Sequence, residues 1–184
     1  MTPGLGRGVA ALLLVVVGGA TGCSLAPMTP SAAPLFAQRG TWTNEQGETL
    51  SLERFRGTPV VVTAFYTSCT VRCPLTISKL EEVDAAYRKS GRLVPFLLLT
   101  IDPHTDTPAR LQRFKHAHNL PEQWHFLWGS DADTRGLAHY LHVNPAYDEG
   151  HIDHEVRIAV FDADGRWARG FSGWSFDAND AVVP

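Results

Sequence analysis

Cys69 and Cys73 stand with three residues between them in "FYTSCTVRCPLT", and a proline follows the second directly. If the turn between them is helix-like, their α-carbons lie roughly 6 Å apart. That falls within the ~4.4–6.8 Å a disulfide accepts. The pair can therefore bridge, act as a redox-active dithiol, or grip one ion through both sulfurs. A loop this short gains little from being closed compared with a long-range bridge, which argues against a purely structural crosslink. Two thiolates favour a soft ion such as Cu(I) over hard cations, whereas structural zinc ordinarily takes four ligands. A metal reading therefore calls for a third ligand elsewhere in the chain.

Eight histidines are available. His116 and His118 are two apart on a helical segment and face different ways. His139 and His142 can share a helix face, but nothing else converges on them. In "EGHIDHEVRIAVF" His154 comes immediately before a buried strand, at the same kind of sheet-edge position as the cysteines. His151 reads as a solvated loop histidine, with an extra-ligand or entry-path role as its alternative.

These residues need elements to position them. Val60 to Tyr66 is nearly continuous apolar and β-branched, as for a strand buried on both faces. Beyond Pro74, the steps Ile77, Leu80, Val83 and Tyr87 predict an amphipathic helix ending near Lys89 and Gly91. Proline suits a helix's first turn, so Cys73 would sit at the helix entrance and Cys69 in the turn before it. Free N–H groups and the helix dipole there push a thiol toward thiolate, and Arg72 adds to this if it faces the sulfurs.

The run "LVPFLLLTI", 93–101, predicts the next strand, with pairing interrupted near Pro95. Thr107 and Pro108 are the N-cap and first residue of a second helix, and a shorter helix is expected over 134–141. "NEQGE" offers a hairpin turn through Gly47, and "EVRIAVFDADGRWARGF" a hairpin through Asp164-Gly165. The order β-α-β-α-(α)-β-β is that of an α/β, thioredoxin-like sheet: a parallel βαβ unit, an antiparallel hairpin and flanking helices. Its final helix is expected in "SFDANDAVVP", which stops soon after a helix start and reads as truncated.

The chain has 184 residues, 44% apolar and 19% charged, with a formal net charge of −3. That composition fits one folded domain and offers no basic footprint for nucleic acid. Arg7 precedes the apolar block "VAALLLVVVGGA", which is too short to span a bilayer but matches an export signal. Cys23 directly after "ATG" resembles a bacterial lipobox, in which that cysteine carries the lipid anchor; Ala20 stands where Leu is commoner. The expected organisation is a lipoprotein signal peptide over 1–22, a Pro/Ala/Ser-rich flexible tether over 23–38 and a thioredoxin-like domain over 39–184. Such a protein would be exported, membrane-anchored and facing the periplasm or cell exterior, where a close cysteine pair forms a disulfide or holds a metal.

Three segments, the strand running into "CTVRCP", then "IDPHTDTP" and "DHEVRIAVFDADG", together resemble the Sco family, also called SenC. They fall in the family's order between about residues 40 and 173. The resemblance implies a copper protein that helps assemble the copper A centre of cytochrome c oxidase. It implies a copper site made by Cys69, Cys73 and His154, with Asp102 and Asp153 mattering nearby. It also implies, as partner, the oxidase subunit carrying the copper A site. The chain departs from the family's pattern at Thr70-Val71, often Pro-Asp, at Thr105, commonly basic, and at Glu155, commonly Ser. Two other functions use the same residues: a thiol-disulfide oxidoreductase keeping partner cysteines reduced, and a copper-sensing or storage module without turnover.

Overall fold

The computed structural model describes Met1, residues 33–148 and residues 151–184. The expected signal peptide after Met1, lipidated Cys23 and the first part of the tether lie outside the described residues. No helix among the described residues is long and apolar enough to cross a membrane.

A short hairpin, β1 (Trp42–Thr43) and β2 (Thr49–Leu50), turns through Gly47 as expected. The central strand β3 (Val60–Phe65) is buried along its whole length. Helix α1 (Arg72–Lys89) leads to β4 (Phe96–Thr100), parallel to β3 with Val61 opposite Phe96. Helix α2 (Pro108–Ala117) leads to β5 (Trp124–Leu127), parallel to β4. Then come α3 (Asp131–Tyr140) and a separate hairpin of β6 (Ala146–Asp148) and β7 (His151–Asp153). The chain re-enters the main sheet through β8 (Arg157–Phe161), antiparallel to β3, and β9 (Trp167–Ser172), with a bulge at Val160/Phe161. The sheet order is β5-β4-β3-β8-β9, a thioredoxin-like α/β sheet with one extra parallel strand at an edge.

Local physics accounts for the elements that were expected. Ile77, Leu80, Val83 and Tyr87 form the buried stripe of α1. The Thr107 side chain caps α2 by accepting from the Arg110 N–H, with Pro108 in the first turn.

Besides the unanticipated β6–β7 hairpin, which puts His151 in a strand rather than a loop, four features differ from the expectations. β5 was not anticipated, because "WHFL" is short and interrupted by His125, whose ring packs on Phe55. The third helix begins at Asp131 rather than 134, since the Ser130 hydroxyl accepts from the Asp133 N–H and starts it a turn early. The helix start in "SFDANDAVVP" is a 3-10 turn, Ala178–Ala181, capped by Asp177. Its Ala181 carbonyl accepts from the Tyr87 hydroxyl at 2.7 Å, which seats the turn on α1.

The fourth is the tether. Its described part packs against the domain: Leu35 and Phe36 are buried, the Leu35 N–H donates to Gly165 O, and the Tyr140 hydroxyl donates to Ala33 O. Burying two large apolar side chains outweighs the local Pro/Ala composition. Gly165 makes room, since its φ is +78° and a β-carbon there would lie 2.6 Å from the Phe36 ring.

Candidate functional site

Strand β3 ends at Phe65, and the segment from Tyr66 to Val71 turns into α1. The helix starts at Arg72, which puts Cys73 second and Pro74 third, where a missing N–H costs nothing. Val71 makes no side-chain cap. Cys69 serves instead, its Sγ accepting the Cys73 N–H at 3.2 Å. The two thiols are free and unequal. Cys69 is half-buried, and burial alone would raise its pKa. The backbone N–H groups of Cys73, Val71 and Arg72 and the Cys73 thiol outweigh this and hold it below the ordinary thiol value. Cys73 is 3% exposed, and burial, reinforced by the neighbouring Cys69, drives its pKa far up.

His154 follows β7 and precedes β8, 5% exposed. Its Nδ1 lies 3.0 Å from Glu155 O, so this nitrogen carries the proton and donates to the carbonyl. Nε2 is then the lone-pair nitrogen, buried and without a hydrogen-bond partner. Burial first, and the Arg72 charge after it, lower the imidazole's pKa, so the ring is neutral at pH 7. Its edge meets Tyr66, with centroids 5.9 Å apart. Cys69, His154, His151 and Tyr66 line one cavity of about 270 Å³. His151 is exposed there, with Nδ1 3.5 Å from the Tyr66 hydroxyl.

Arg72 does not reinforce the thiolate through its guanidinium. Its Nη1 reaches Asp153 and the carbonyl of His154, each at 2.6 Å, so a carboxylate and a carbonyl on the hairpin capture the charge. Asp153 thus acts at the site by holding Arg72. Asp102 does not reach the cysteine–histidine cavity; it accepts from the Thr105 N–H and lines another cavity with His104 and Asp131.

Asp106 was not singled out in the sequence, yet it braces the cysteine loop. Its fully buried carboxylate accepts from the Thr67 N–H at 3.0 Å, the Thr100 hydroxyl at 2.7 Å and the Thr67 hydroxyl, with Arg110 at 3.6 Å. The available signal was position: "DTP" puts an acid next to a capping threonine at the same sheet edge as the cysteines.

Cys73 does not line the His154 cavity. It opens, with Cys69, into a second cavity of about 300 Å³ between α1 and α2. Among the described residues, no three Cys, His, Asp or Glu side chains already stand close enough to share an ion. His139 and His142 are not brought to either cavity; His142 lies beyond α3 against Trp167, at φ 57°.

The chain is similar to the SCO2-like protein of Rickettsia felis, 26% identical over 136 residues that make up 70% of this chain and 65% of the relative. It therefore spans just under two thirds of that protein's length. Among solved structures it resembles a SCO1/SenC family lipoprotein from Bacillus anthracis, with TM-score 0.71 and 21% identity, covering 84% of this chain and 94% of the other. It also resembles ScoI of Bradyrhizobium japonicum, solved with copper bound, with TM-score 0.65 and 23% identity, covering 77% and 92%. The sequence profile of the SCO1/SenC family matches residues 29–181. Together with the sheet order and the paired thiols at the head of α1, that match over most of its length makes this chain a member of the SCO1/SenC family.

Proposed function

We propose that this protein is an exported, lipid-anchored copper metallochaperone in which Cys69, Cys73 and His154 hold copper, its cargo, for delivery to the copper A subunit of cytochrome c oxidase. One observation carries the reading. A thiol held toward thiolate by a helix N-terminus shares a cavity with an imidazole whose buried Nε2 lone pair has no partner. A buried acceptor without a partner is costly, and a soft metal is the ligand that suits nitrogen beside sulfur. The copper-bound Bradyrhizobium structure and the Bacillus anthracis lipoprotein support copper and the anchor respectively.

Each residue has a task. The α1 N–H groups keep Cys69 ready as a sulfur donor, and Cys73, once its proton is lost, supplies the second. The Glu155 carbonyl fixes the His154 tautomer that leaves Nε2 free. Arg72 holds the hairpin bearing His154 against the head of α1, and a shift of this clamp brings the ring onto the sulfurs or lets it leave. Two sulfurs and one imidazole accommodate both Cu(I) and Cu(II).

Anaerobic Cu(I) titration of wild type beside Cys69→Ser and His154→Ala tests the reading, with absorption spectra after oxidation. About one copper per chain is expected in the wild type, with affinity lowered at least about tenfold in each variant. A His154→Ala protein with wild-type Cu(I) affinity and unchanged thiolate-to-copper absorption would defeat it. The unequal thiols favour a second reading, in which Cys69 attacks a partner's disulfide and Cys73 resolves it. Rapid insulin reduction by metal-free protein would move the assignment there.

A further inference from the structure

We propose that His118 is a second imidazole for copper held by Cys69 and Cys73, replacing His154 as the ion passes into the groove between α1 and α2. This inference rests on the copper-binding reading above. Cys69 lines both cavities, whereas Cys73 lines the α1–α2 cavity and not the one containing His154. An ion held by both sulfurs is therefore open to the α1–α2 groove as well as to the His154 side, and the imidazole lining that groove is His118.

The groove suits a soft ion. Pro74, Ile77 and Phe114 give it apolar wall beside Thr67, Ser78 and Glu81, and the two sulfurs with an imidazole are the donors that favour Cu(I) there. His118 stands at the C-terminal end of α2 with its side chain exposed. Neither of its ring nitrogens is hydrogen-bonded among the described residues. The ring rests on Phe114 with centroids 4.3 Å apart. Phe114 in turn packs on Phe65 and Phe126, so the platform that keeps the imidazole at the groove mouth is fixed in the core.

The exchange is a ligand substitution at Cu(I). One nitrogen lone pair leaves the ion as the other arrives, both sulfurs stay bound, and no electron or proton is transferred. The dithiol thereby has an imidazole on each of two faces, one buried and one exposed. Copper bonded on the His154 face is sheltered, and copper bonded on the His118 face is presented to an acceptor.

The test uses the Cu(I)-loaded full chain as wild type, His118→Ala, His154→Ala and the double variant, under anaerobic conditions. X-ray absorption reports the nitrogen donors on copper, and transfer to bicinchoninate reports release. His154→Ala is expected to retain one imidazole nitrogen, and the double variant to show sulfur alone. His118→Ala is expected to release copper about tenfold more slowly than wild type. Diethylpyrocarbonate modification of His118 in the His154→Ala protein should slow on copper loading. If copper in His154→Ala carries no nitrogen, or His118→Ala releases at the wild-type rate, the His118 assignment is overturned while copper binding stands. Absence of copper from the wild type overturns both.

Discussion

At the scale of single residues, the site depends on two chemically identical side chains behaving differently. Cys69 accepts the Cys73 N–H at the open start of a helix, while Cys73 is packed into the core beneath it. The folded-state pKa of Cys69 is lowered, so its thiolate fraction, and with it its alkylation rate, rises at a pH below the ordinary thiol value of about 8.5. The Cys73 pKa is raised by burial, so this thiol stays protonated across the same range. Iodoacetamide followed by mass spectrometry should therefore label Cys69 first, at least about tenfold faster at neutral pH. The rate midpoint for Cys69 should lie on the acid side of a free thiol's. Equal labelling of the two cysteines would contradict the asymmetry.

At the scale of elements, the fold brings a helix start and a distant hairpin to one sheet edge, and Arg72 joins them. Its ion pair with Asp153 is half-exposed on both sides, and such pairs contribute only about 0–1 kcal/mol. Arg72→Ala should therefore leave global stability within about 1 kcal/mol by urea unfolding. The effect belongs to the hairpin: backbone amides from 151 to 154 should exchange with deuterium several-fold faster, while those of β3 and β4 keep wild-type protection. Unchanged exchange in that segment would mean that Arg72 does not clamp it. Because the clamp also holds the His154 carbonyl, faster copper loss from the same variant is the corresponding functional expectation.

At the scale of the whole molecule, a buried ion pair ties the first hairpin to the far edge of the sheet. Lys115 occupies a core-facing position of α2 and donates to Glu45 at 2.7 Å and to Trp124 O at 2.8 Å. The other Glu45 oxygen accepts from the Phe126 N–H, so β5 is held from both sides. Removing one partner leaves a buried charge, and Lys115→Met should cost about 3–5 kcal/mol. Urea midpoints measure this, and the double variant Lys115→Met/Glu45→Leu should recover part of the loss by removing the orphaned carboxylate. A loss below about 1 kcal/mol in the single variant would show that water reaches Glu45.

Much of this architecture was legible in the sequence because it depends on near neighbours. The β-branched run of β3, the stripe of α1, the Thr107-Pro108 start of α2 and the Gly47 and Gly165 turns each obey rules satisfied within a few residues. So was the position of Cys69 and Cys73 at a strand-to-helix junction that pushes a thiol toward thiolate; that this thiol is Cys69, while burial drives Cys73 the other way, was not. What lay out of reach depends on partners remote in the chain. β5 is a strand because β4 offers it a parallel edge, and residues 33–36 leave the tether because Gly165 has space beneath it. The direction of Arg72, the burial of Asp106 and the cavity into which each thiol opens follow from packing between segments that no local pattern links. Residue type and spacing determined which atoms are able to bind a soft metal. Only the tertiary structure decided which imidazole shares a cavity with which sulfur, since that placement is set by how sheet, helices and hairpin close on one another.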